Sequence, residues 1–404
     1  MERTPTHQPA TVVFDPSLTE YDFGPQHPMS PLRVALTMRL VEAMGLLAAG
    51  ADGAPPALRL VPPPMASVEL LRTVHDERLI DAVVRAGTVP GYINPALGLG
   101  TEDNPTFPHM HEASAHIVGA TVEACRQVWS GESGHSANIA GGLHHSMRNL
   151  ASGFCIYNDV AVGIQWLLDQ GAKRVAYVDV DVHHGDGVQD IFYDDPRVLT
   201  ISLHETGQVL FPGTGFAGDV GGPNARGSSV NVALPPGTAD SGWLRAFHAV
   251  VPPLVTEFAP EVLITQHGCD SHREDPLAHL MLTVDGQRAA YLALHDLAHT
   301  ACNGRWVATG GGGYAVVDVV PRAWTHLLAI VGGRPIDPET EVPASWRQAV
   351  ESQTGLAAPR SFTDGVLPGF RDWGAGYDPQ SELDRAILAT RSAVFPWHGL
   401  APLP

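Results

Sequence analysis

The chain has 404 residues, a formal net charge of −19, 44% hydrophobic residues and 17% charged residues. The acidic balance argues against a nucleic-acid partner, because such proteins use Lys and Arg to neutralise phosphates. The chain contains no run of about 18 apolar residues, the length needed to span a membrane. Its polar start lacks the pattern of a signal peptide. The four cysteines form no C-x-x-C pair, so we expect a cytoplasmic protein without a membrane partner.

The hydrophobic pattern predicts helices first and then an alternation of strands and helices. Amphipathic helices are predicted at 31–49, 66–86 and 111–129. Downstream, β-branched runs alternate with helical patterns, which is typical of a parallel sheet with crossover helices. The predicted strands are 137–140, 174–181, 198–203, 230–234, 261–266 and 305–309. The helices predicted between and after them are 159–169, 240–258, 285–301 and 317–331.

These elements predict an α/β fold with one open parallel sheet flanked by helices. We interpret residues 1–335 as a single catalytic domain, because no low-complexity linker interrupts them. Residues 336–404, with their Pro, Gly and Trp, are expected to form an irregular C-terminal tail that packs on this body.

Chemically active residues fall at the C-terminal ends of the predicted strands. They are G-G-L-H-H at 141–145, D-V-D-V-H-H-G-D-G at 179–187, S-L-H-E at 202–205, Q-H-G-C-D at 266–270 and G-G-G-G-Y at 310–314. In open α/β sheets ligands bind at this edge, so the motifs predict one shared crevice. Histidine is abundant, at 20 residues, which raises the expectation of metal or acid–base chemistry.

The D-x-D-x-H segment predicts a metal site. Strand alternation places Asp179, Asp181 and His183 on one face, and carboxylates with an imidazole suit Zn²⁺ or Fe²⁺ with an open catalytic position. The third ligand should be a carboxylate from a neighbouring strand end, for which we choose Asp275. The competing residues are Asp270 and Glu274.

Two other interpretations of this segment fit less well. An EF-hand calcium loop needs a glycine where this chain has His184, and a polar loop where this segment is apolar. Acidic residues that merely cap strand ends would be costly here, because charged groups on a buried strand need partners to offset their desolvation.

Two adjacent imidazoles, His144 and His145, are candidates for acid–base catalysis. The carboxylates of Asp179 and Asp186 could orient them, fixing the tautomer and stabilising the imidazolium.

The glycine run before Tyr314 is our candidate for a catalytic turn. It lacks the lysine of a phosphate-binding loop, and we expect it to bring the Tyr314 hydroxyl to the metal as an oxyanion donor.

The motifs, in their order along the chain, resemble those of the zinc-dependent histone deacetylase superfamily, and particularly its bacterial acetoin-utilisation branch. The resemblance covers roughly residues 14–333 and includes H-H, A-S-G-F-C-I-Y-N-D (151–159), D-V-D-V-H-H-G-D-G, S-L-H-E, F-P-G-T-G (211–215), D-P-L (275–277) and G-G-G-G-Y. It implies an arginase/deacetylase-like fold and a zinc-dependent protein lysine deacetylase, with Fe²⁺ as the alternative metal.

The resemblance also implies individual roles. The implied metal ligands are Asp181, His183 and Asp275. The implied catalytic residues are His144, His145, Asp179, Asp186 and Tyr314, with His145 paired to Asp186 as general base and acid. The implied substrate-binding residues are Asp103 at the rim and Gly153, Phe154, Phe211 and Leu282 along a narrow acyl-lysine channel. An inner K⁺ or Na⁺ site would comprise Asp179, Asp181, His183, Ser202 and Leu203.

The implied substrate is an acetylated lysine of a protein, such as a metabolic acyl-CoA synthetase. A small acetylated amine is the main alternative, because a slender channel would admit an acetylpolyamine equally well. A rim carboxylate at Asp103 favours a peptide, whose N–H groups it can hold. A two-manganese ureohydrolase would need a second D-x-D-x-x-D-type cluster, and an inactive acyl-lysine-binding protein should lack Tyr314 or the histidine pair.

Overall fold

A computed structural model describes residues 9–50 and 53–404 of the chain. Residues 1–8, part of the stretch that we examined for a signal peptide, lie outside the described residues. The strands of the described chain are β1 (Ala10–Val13), β2 (Leu58–Val61), β3 (His135–Asn138), β4 (Val175–Asp179), β5 (Val198–Glu205), β6 (Ser229–Leu234), β7 (Val262–Gln266) and β8 (Trp306–Thr309). They form one sheet in the order β2-β1-β3-β8-β7-β4-β5-β6, and all neighbours are parallel.

Helices cover this sheet. Those of the described residues are α1 (Leu32–Ala43), α2 (Val68–Leu71), α3 (Glu77–Thr88), α4 (Met110–Ser130), α5 (Asp159–Asp169), α6 (Asp186–Ile191), α7 (Asp240–Phe258), α8 (Val284–Ala301), α9 (Val320–Val331), α10 (Ala344–Thr354) and α11 (Glu382–Val394). The prediction of an open parallel sheet flanked by helices is confirmed. Among the residues described, none of the helices has the length and apolar character needed to cross a membrane.

The central strands are apolar because helices cover the sheet on both faces. β4 and β7 are buried along their whole length, as expected for strands inside a parallel sheet. The edge pair β1 and β2 was not predicted. Both lie upstream of the alternation of strands and helices from which the other strands were recognised, and β2 exposes two of its four side chains.

The order of the strands places the predicted motifs side by side. β3, β8, β7 and β4 are consecutive neighbours in the sheet, although β8 comes last of all the strands in the sequence. Their carboxyl ends lead into the H-H motif, the glycine run, the Q-H-G-C-D motif and the D-x-D-x-H motif. The topology therefore brings four separate segments to one edge.

The segment after residue 335 is more regular than we predicted. It contains α10 and α11, and α11 packs on β6 and α7. Ser381 caps α11 by accepting a hydrogen bond from the backbone N–H of Asp384 (3.2 Å), a short capping signal that the surrounding prolines and glycines obscured. The division of the chain near residue 335 stays a prediction.

A buried ion pair fastens α11 to the body. Arg245 on α7 donates two hydrogen bonds of 2.8 Å to the carboxylate of Asp384, and both residues are buried. Burial alone would raise the pKa of Asp384, but the Arg245 guanidinium holds this pKa below its usual value. The charges compensate one another only as long as both are present.

We expect Asp384→Asn to lower the free energy of unfolding by about 3 kcal/mol, because it leaves the Arg245 charge buried without its partner. Since the folded-state pKa is lowered, the contribution of Asp384 is complete above the ordinary carboxyl pKa of about 3.9 and is lost as the pH falls through the folded value. Urea unfolding at pH 7 measures the loss. The control is Glu77→Gln in the exposed Arg72–Glu77 pair, which should change stability by less than about 1 kcal/mol; equal effects would contradict the prediction.

Candidate active site

The histidine pair sits on a loop that follows β3 and is held by the start of α5. The buried carboxylate of Asp159 accepts hydrogen bonds from the backbone N–H groups of Gly142 (3.1 Å) and Leu143 (2.8 Å). The side-chain amide of Asn158 donates to the carbonyl oxygen of His144 (3.3 Å). The end of the A-S-G-F-C-I-Y-N-D motif therefore shapes the loop that carries the pair, a role that we did not predict.

Each histidine of the pair contacts its own carboxylate, as predicted. Nδ1 of His144 lies 2.7 Å from Asp179, and Nδ1 of His145 lies 2.7 Å from Asp186. The two Nε2 atoms are 3.0 Å apart. Each Nδ1–H can donate to its carboxylate, which leaves the two Nε2 atoms facing one another. A further proton on one Nε2 can then form a hydrogen bond to the other.

That further proton resides on His144. Burial alone would lower the pKa of His144, but the charges of Asp179 and Asp181 raise it to about 9. Burial and the neighbouring positive charge of His144 lower the pKa of His145 to about 4. At neutral pH the pair therefore combines a charged imidazolium with a neutral imidazole, which can accept a proton.

Asp181, His183 and Asp270 form the candidate metal centre. Each offers a ligand atom within 4.8 Å of the others, and all three are buried. Nδ1 of His183 lies 3.1 Å from an oxygen of each carboxylate. Burial would lower the pKa of His183, but the two carboxylates raise it to about 10, while burial and the charge of Asp181 raise the pKa of Asp270 to about 7.

The cluster brings two buried carboxylates together at one imidazole, an arrangement that a cation would stabilise. The raised pKa of His183 means that its imidazole keeps a proton beside these carboxylates. A divalent ion can replace that proton, and two carboxylates with one imidazole are a donor set that suits Zn²⁺ or Fe²⁺. The residues present therefore fit the metal ion that the sequence predicts.

The choice of Asp275 as third ligand needs correction. Its carboxylate accepts hydrogen bonds from the backbone N–H groups of Tyr314 (2.8 Å) and Leu277 (3.0 Å), and it is not part of the cluster. Asp270 takes that place because it lies just beyond the end of β7, beside β4. Asp275 follows in the next loop and holds the backbone of Tyr314 instead.

Glycines allow the backbone to approach the candidate ligands. A Cβ atom on Gly268 would lie 1.9 Å from a carboxylate oxygen of Asp181, and one on Gly312 would lie 1.9 Å from Asp270. The N–H of Gly312 (2.7 Å) and the side-chain amide of Gln266 (2.8 Å) both donate to Asp181. The glycine run thus positions carboxylates as well as Tyr314, which we had not foreseen.

Arg33 on α1 also supports the glycine run. Its buried guanidinium donates to the carbonyl oxygens of Gly311 (2.7 Å) and Gly313 (3.3 Å). No motif surrounds Arg33 in the sequence, so only the tertiary structure reveals this contact.

A cavity of about 220 Å³ leads to the cluster. Its lining residues are Asp103, His145, Gly153, Phe154, His183, Leu210, Phe211, Leu277 and Tyr314. The rings of Phe154 and Tyr314 meet edge to face at 5.8 Å, and those of His145 and Phe211 at 5.0 Å. Gly153 keeps this cavity open, because a Cβ there would lie 2.5 Å from the His145 ring and 2.8 Å from the Phe211 ring.

One predicted channel residue is wrong. Leu282 is 1% exposed, and its backbone pairs with that of His272, so its side chain belongs to the core. Leu277, the leucine of the D-P-L motif itself, is 36% exposed and lines the cavity. Asp103 lines the same cavity and is exposed, as expected for a rim residue.

The predicted inner cation site is partly assembled by the sheet. Asp179 on β4 pairs in register with Ser202 on β5, and Leu203 follows on the same strand. The backbone N–H of Asp181 donates to Asp179 (3.1 Å). The presence of K⁺ or Na⁺ among these residues stays a prediction.

The chain is similar to known proteins over most of its length. The family model "Histone deacetylase domain" matches residues 27–331. Acetoin utilization protein AcuC of Bacillus subtilis (strain 168) is 43% identical over 354 residues, which cover 87% of this chain and 89% of that protein. The protein of the same name from Staphylococcus xylosus is 35% identical over 355 residues, covering 87% and 90%.

Solved structures agree with this similarity. The crystal structure of an HDAC homolog from Aquifex aeolicus matches with a TM-score of 0.80 at 27% sequence identity, and the match covers 95% of this chain and 100% of that one. A crystal structure of an HDAC homolog complexed with SAHA gives the same values.

The corrected ligand set leads to a direct test. Asp270→Ala should abolish retention of about one equivalent of Zn²⁺, because it removes one of the two carboxylates that attract the ion. Asp275→Ala should retain the metal ion but lower kcat, because Tyr314 loses the acceptor that holds its backbone. Metal analysis of the dialysed variants measures the bound Zn²⁺. If Asp275→Ala lost the metal ion and Asp270→Ala kept it, Asp275 would be the third ligand after all.

Proposed function

Because the chain belongs to the histone deacetylase family, we propose that it is a metal-dependent amidohydrolase that removes acetyl groups from lysine side chains of proteins. The observation that carries this proposal is a shared cavity. His183 of the cation-attracting cluster, the neutral base His145 and the phenol Tyr314 all line it, so the groups needed for amide hydrolysis face one another.

Asp181, His183 and Asp270 would hold Zn²⁺, or alternatively Fe²⁺. When bound, the ion supplies Lewis-acid activation of an amide carbonyl and of water. All three side chains are buried, and the side chain of Asp181 leaves no room for a larger residue at Gly268. The protein thus contributes a preformed set of ligands.

His145 is our proposed general base and acid. It is neutral at pH 7, and its Nδ1–H is held by Asp186, so the lone pair lies on its Nε2. That lone pair faces Nε2 of His144 at 3.0 Å, and the attacking water would replace His144 as the donor when it gives its proton to His145. Returning that proton to the lysine nitrogen allows the C–N bond to break. His144 keeps its charge because of Asp179 and stabilises negative charge that develops nearby.

Tyr314 is our proposed oxyanion donor. Burial raises the pKa of its phenol well above the usual value, so the hydroxyl stays protonated and can donate a hydrogen bond. Its place in the cavity depends on Asp275 and Arg33, which hold the N–H and the C=O of the peptide group between Gly313 and Tyr314. A donor fixed in this way needs little reorganisation during the reaction.

The cavity suits a slender acylated chain. Phe154 and Phe211 provide aromatic walls for four methylene groups and help to exclude bulk water. Asp103 at the rim can accept hydrogen bonds from the peptide N–H groups beside an acetyl-lysine, which supports a protein substrate. The similarity to proteins named for acetoin utilisation supports a metabolic enzyme, such as an acyl-CoA synthetase, as the client.

An acetylated polyamine is the second candidate substrate, because the net charge of −19 attracts a polycation as readily as a basic peptide. We also propose an inner site for K⁺ or Na⁺, formed by Asp179, Asp181, His183, Ser202 and Leu203.

Tyr314→Phe should lower kcat by about 10²–10³, because the donor acts on charge that appears only during attack. Binding of a hydroxamate chelator should remain largely intact, which a titration can show. Tyr377→Phe, remote from the cavity, is the matched control and should leave both quantities unchanged. An unaltered kcat in Tyr314→Phe would contradict the proposed role.

Substrate class can be tested at the rim. We expect higher kcat/KM on acetyl-lysine peptides than on acetylputrescine, and Asp103→Ala should depress kcat/KM on the peptides far more than on the small amine. Glu102→Ala, which removes the adjacent exposed carboxylate, is the matched control and should affect both substrates little. If wild type prefers acetylputrescine over every acetylated peptide and protein tried, the polyamine function replaces the one proposed.

A further inference from the structure

A second group of potential metal ligands lies away from the active site. His135 is the first residue of β3, and His295 and His299 lie one turn apart on α8. Each offers one ring nitrogen, and these atoms all lie within 4.8 Å of one another. Two histidines spaced by four residues on a helix face the same way, which is a common arrangement for a transition metal.

The ring spacing is close to that of a three-imidazole site. The centroids are 5.0 Å apart for His135 and His295, 4.9 Å for His135 and His299, and 4.7 Å for His295 and His299. With Zn–N bonds of about 2.0–2.1 Å in a tetrahedral site, bound nitrogens are about 3.3 Å apart and ring centroids about 5 Å apart. Small side-chain movements would therefore complete the site.

Two of the rings have a contact that orients a metal ligand. Nδ1 of His135 lies 2.9 Å from the carbonyl oxygen of Val331. A carbonyl can only accept, so Nδ1 donates to it, and Nε2 is the ring nitrogen that could bind a metal ion. Nδ1 of His295 lies 3.5 Å from a carboxylate oxygen of Asp296. Metal-binding histidines usually donate their other N–H to such a carbonyl or carboxylate.

This group is separate from the candidate catalytic centre. It lies at the amino end of β3, whereas the histidine pair follows the carboxyl end of the same strand, about 10 Å away along the strand axis. Its ligands are three imidazoles without a carboxylate, a set that favours Zn²⁺, Ni²⁺ or Cu²⁺ over Mg²⁺ or Ca²⁺.

We propose that His135, His295 and His299 form a second binding site for a divalent transition metal ion, which would tie α8 to the sheet and leave a coordination position open to water. The rings of His135 and His295 pack edge to face on Trp306, with centroid distances of 5.5 Å and 5.8 Å. This packing fixes the positions of two of the three rings. The exposed His299 completes the group, whose three ring nitrogens converge.

Copper binding to the zinc-loaded, tag-free protein tests this proposal. Wild type should take up one equivalent of Cu²⁺ while retaining its catalytic Zn²⁺, and the electron paramagnetic resonance spectrum should show hyperfine coupling to imidazole nitrogens. His299→Gln and His295→Gln should lose this equivalent. His398→Gln, which changes a histidine elsewhere on the surface, should keep it.

A thermal measurement adds an independent readout. Ni²⁺ should raise the melting temperature of wild type, because it binds only the folded arrangement of the three residues. It should not raise that of His299→Gln, which is expected to fold normally because His299 is exposed. Absence of a further equivalent in wild type, or equal binding by wild type and His299→Gln, would overturn the proposal without affecting the proposed deacetylase function.

Discussion

Asp181 and Asp270 place two carboxylates in the protein interior, where each would cost several kcal/mol without compensation. Both contact Nδ1 of His183, which becomes strongly basic as a result. β4 and β7 are neighbours, so the fold itself forces the two charges together. The remainder of the site is arranged around the cation that this cluster requires.

Specific hydrogen bonds hold the surroundings of the cluster. Gln266 and the backbone of Gly312 donate to Asp181, and Asp159 fixes the loop that bears the histidine pair. Arg33 reaches from α1 to two carbonyl oxygens of the glycine run that precedes Tyr314. Buried polar groups are thus satisfied by one another, which preserves the geometry on which acid–base and oxyanion chemistry depend.

Much of this arrangement could be predicted because parallel strands end at one edge. Apolar runs identified six of the strands. Strand alternation led us to Asp181 and His183, although β4 ends at Asp179 and both residues lie just beyond it. The pairing of His144 with Asp179 and of His145 with Asp186 was also anticipated correctly.

The errors occurred where the sequence pattern does not determine the position of a side chain. Asp270 and Asp275 both follow β7, and only the path of the loop shows which one faces Asp181. Leu277 and Leu282 were confused for the same reason. The helix α11 was missed because the prolines and glycines around it obscured the capping signal of Ser381.

Anomalous scattering at the zinc absorption edge, recorded from crystals of the protein loaded with Zn²⁺, tests the central claim most directly. The account predicts a strong anomalous peak enclosed by Asp181, His183 and Asp270, with Asp275 still bound to the backbone of Tyr314. A fully loaded crystal with no peak among these three side chains, or a peak coordinated by Asp275 in place of Asp270, would contradict it.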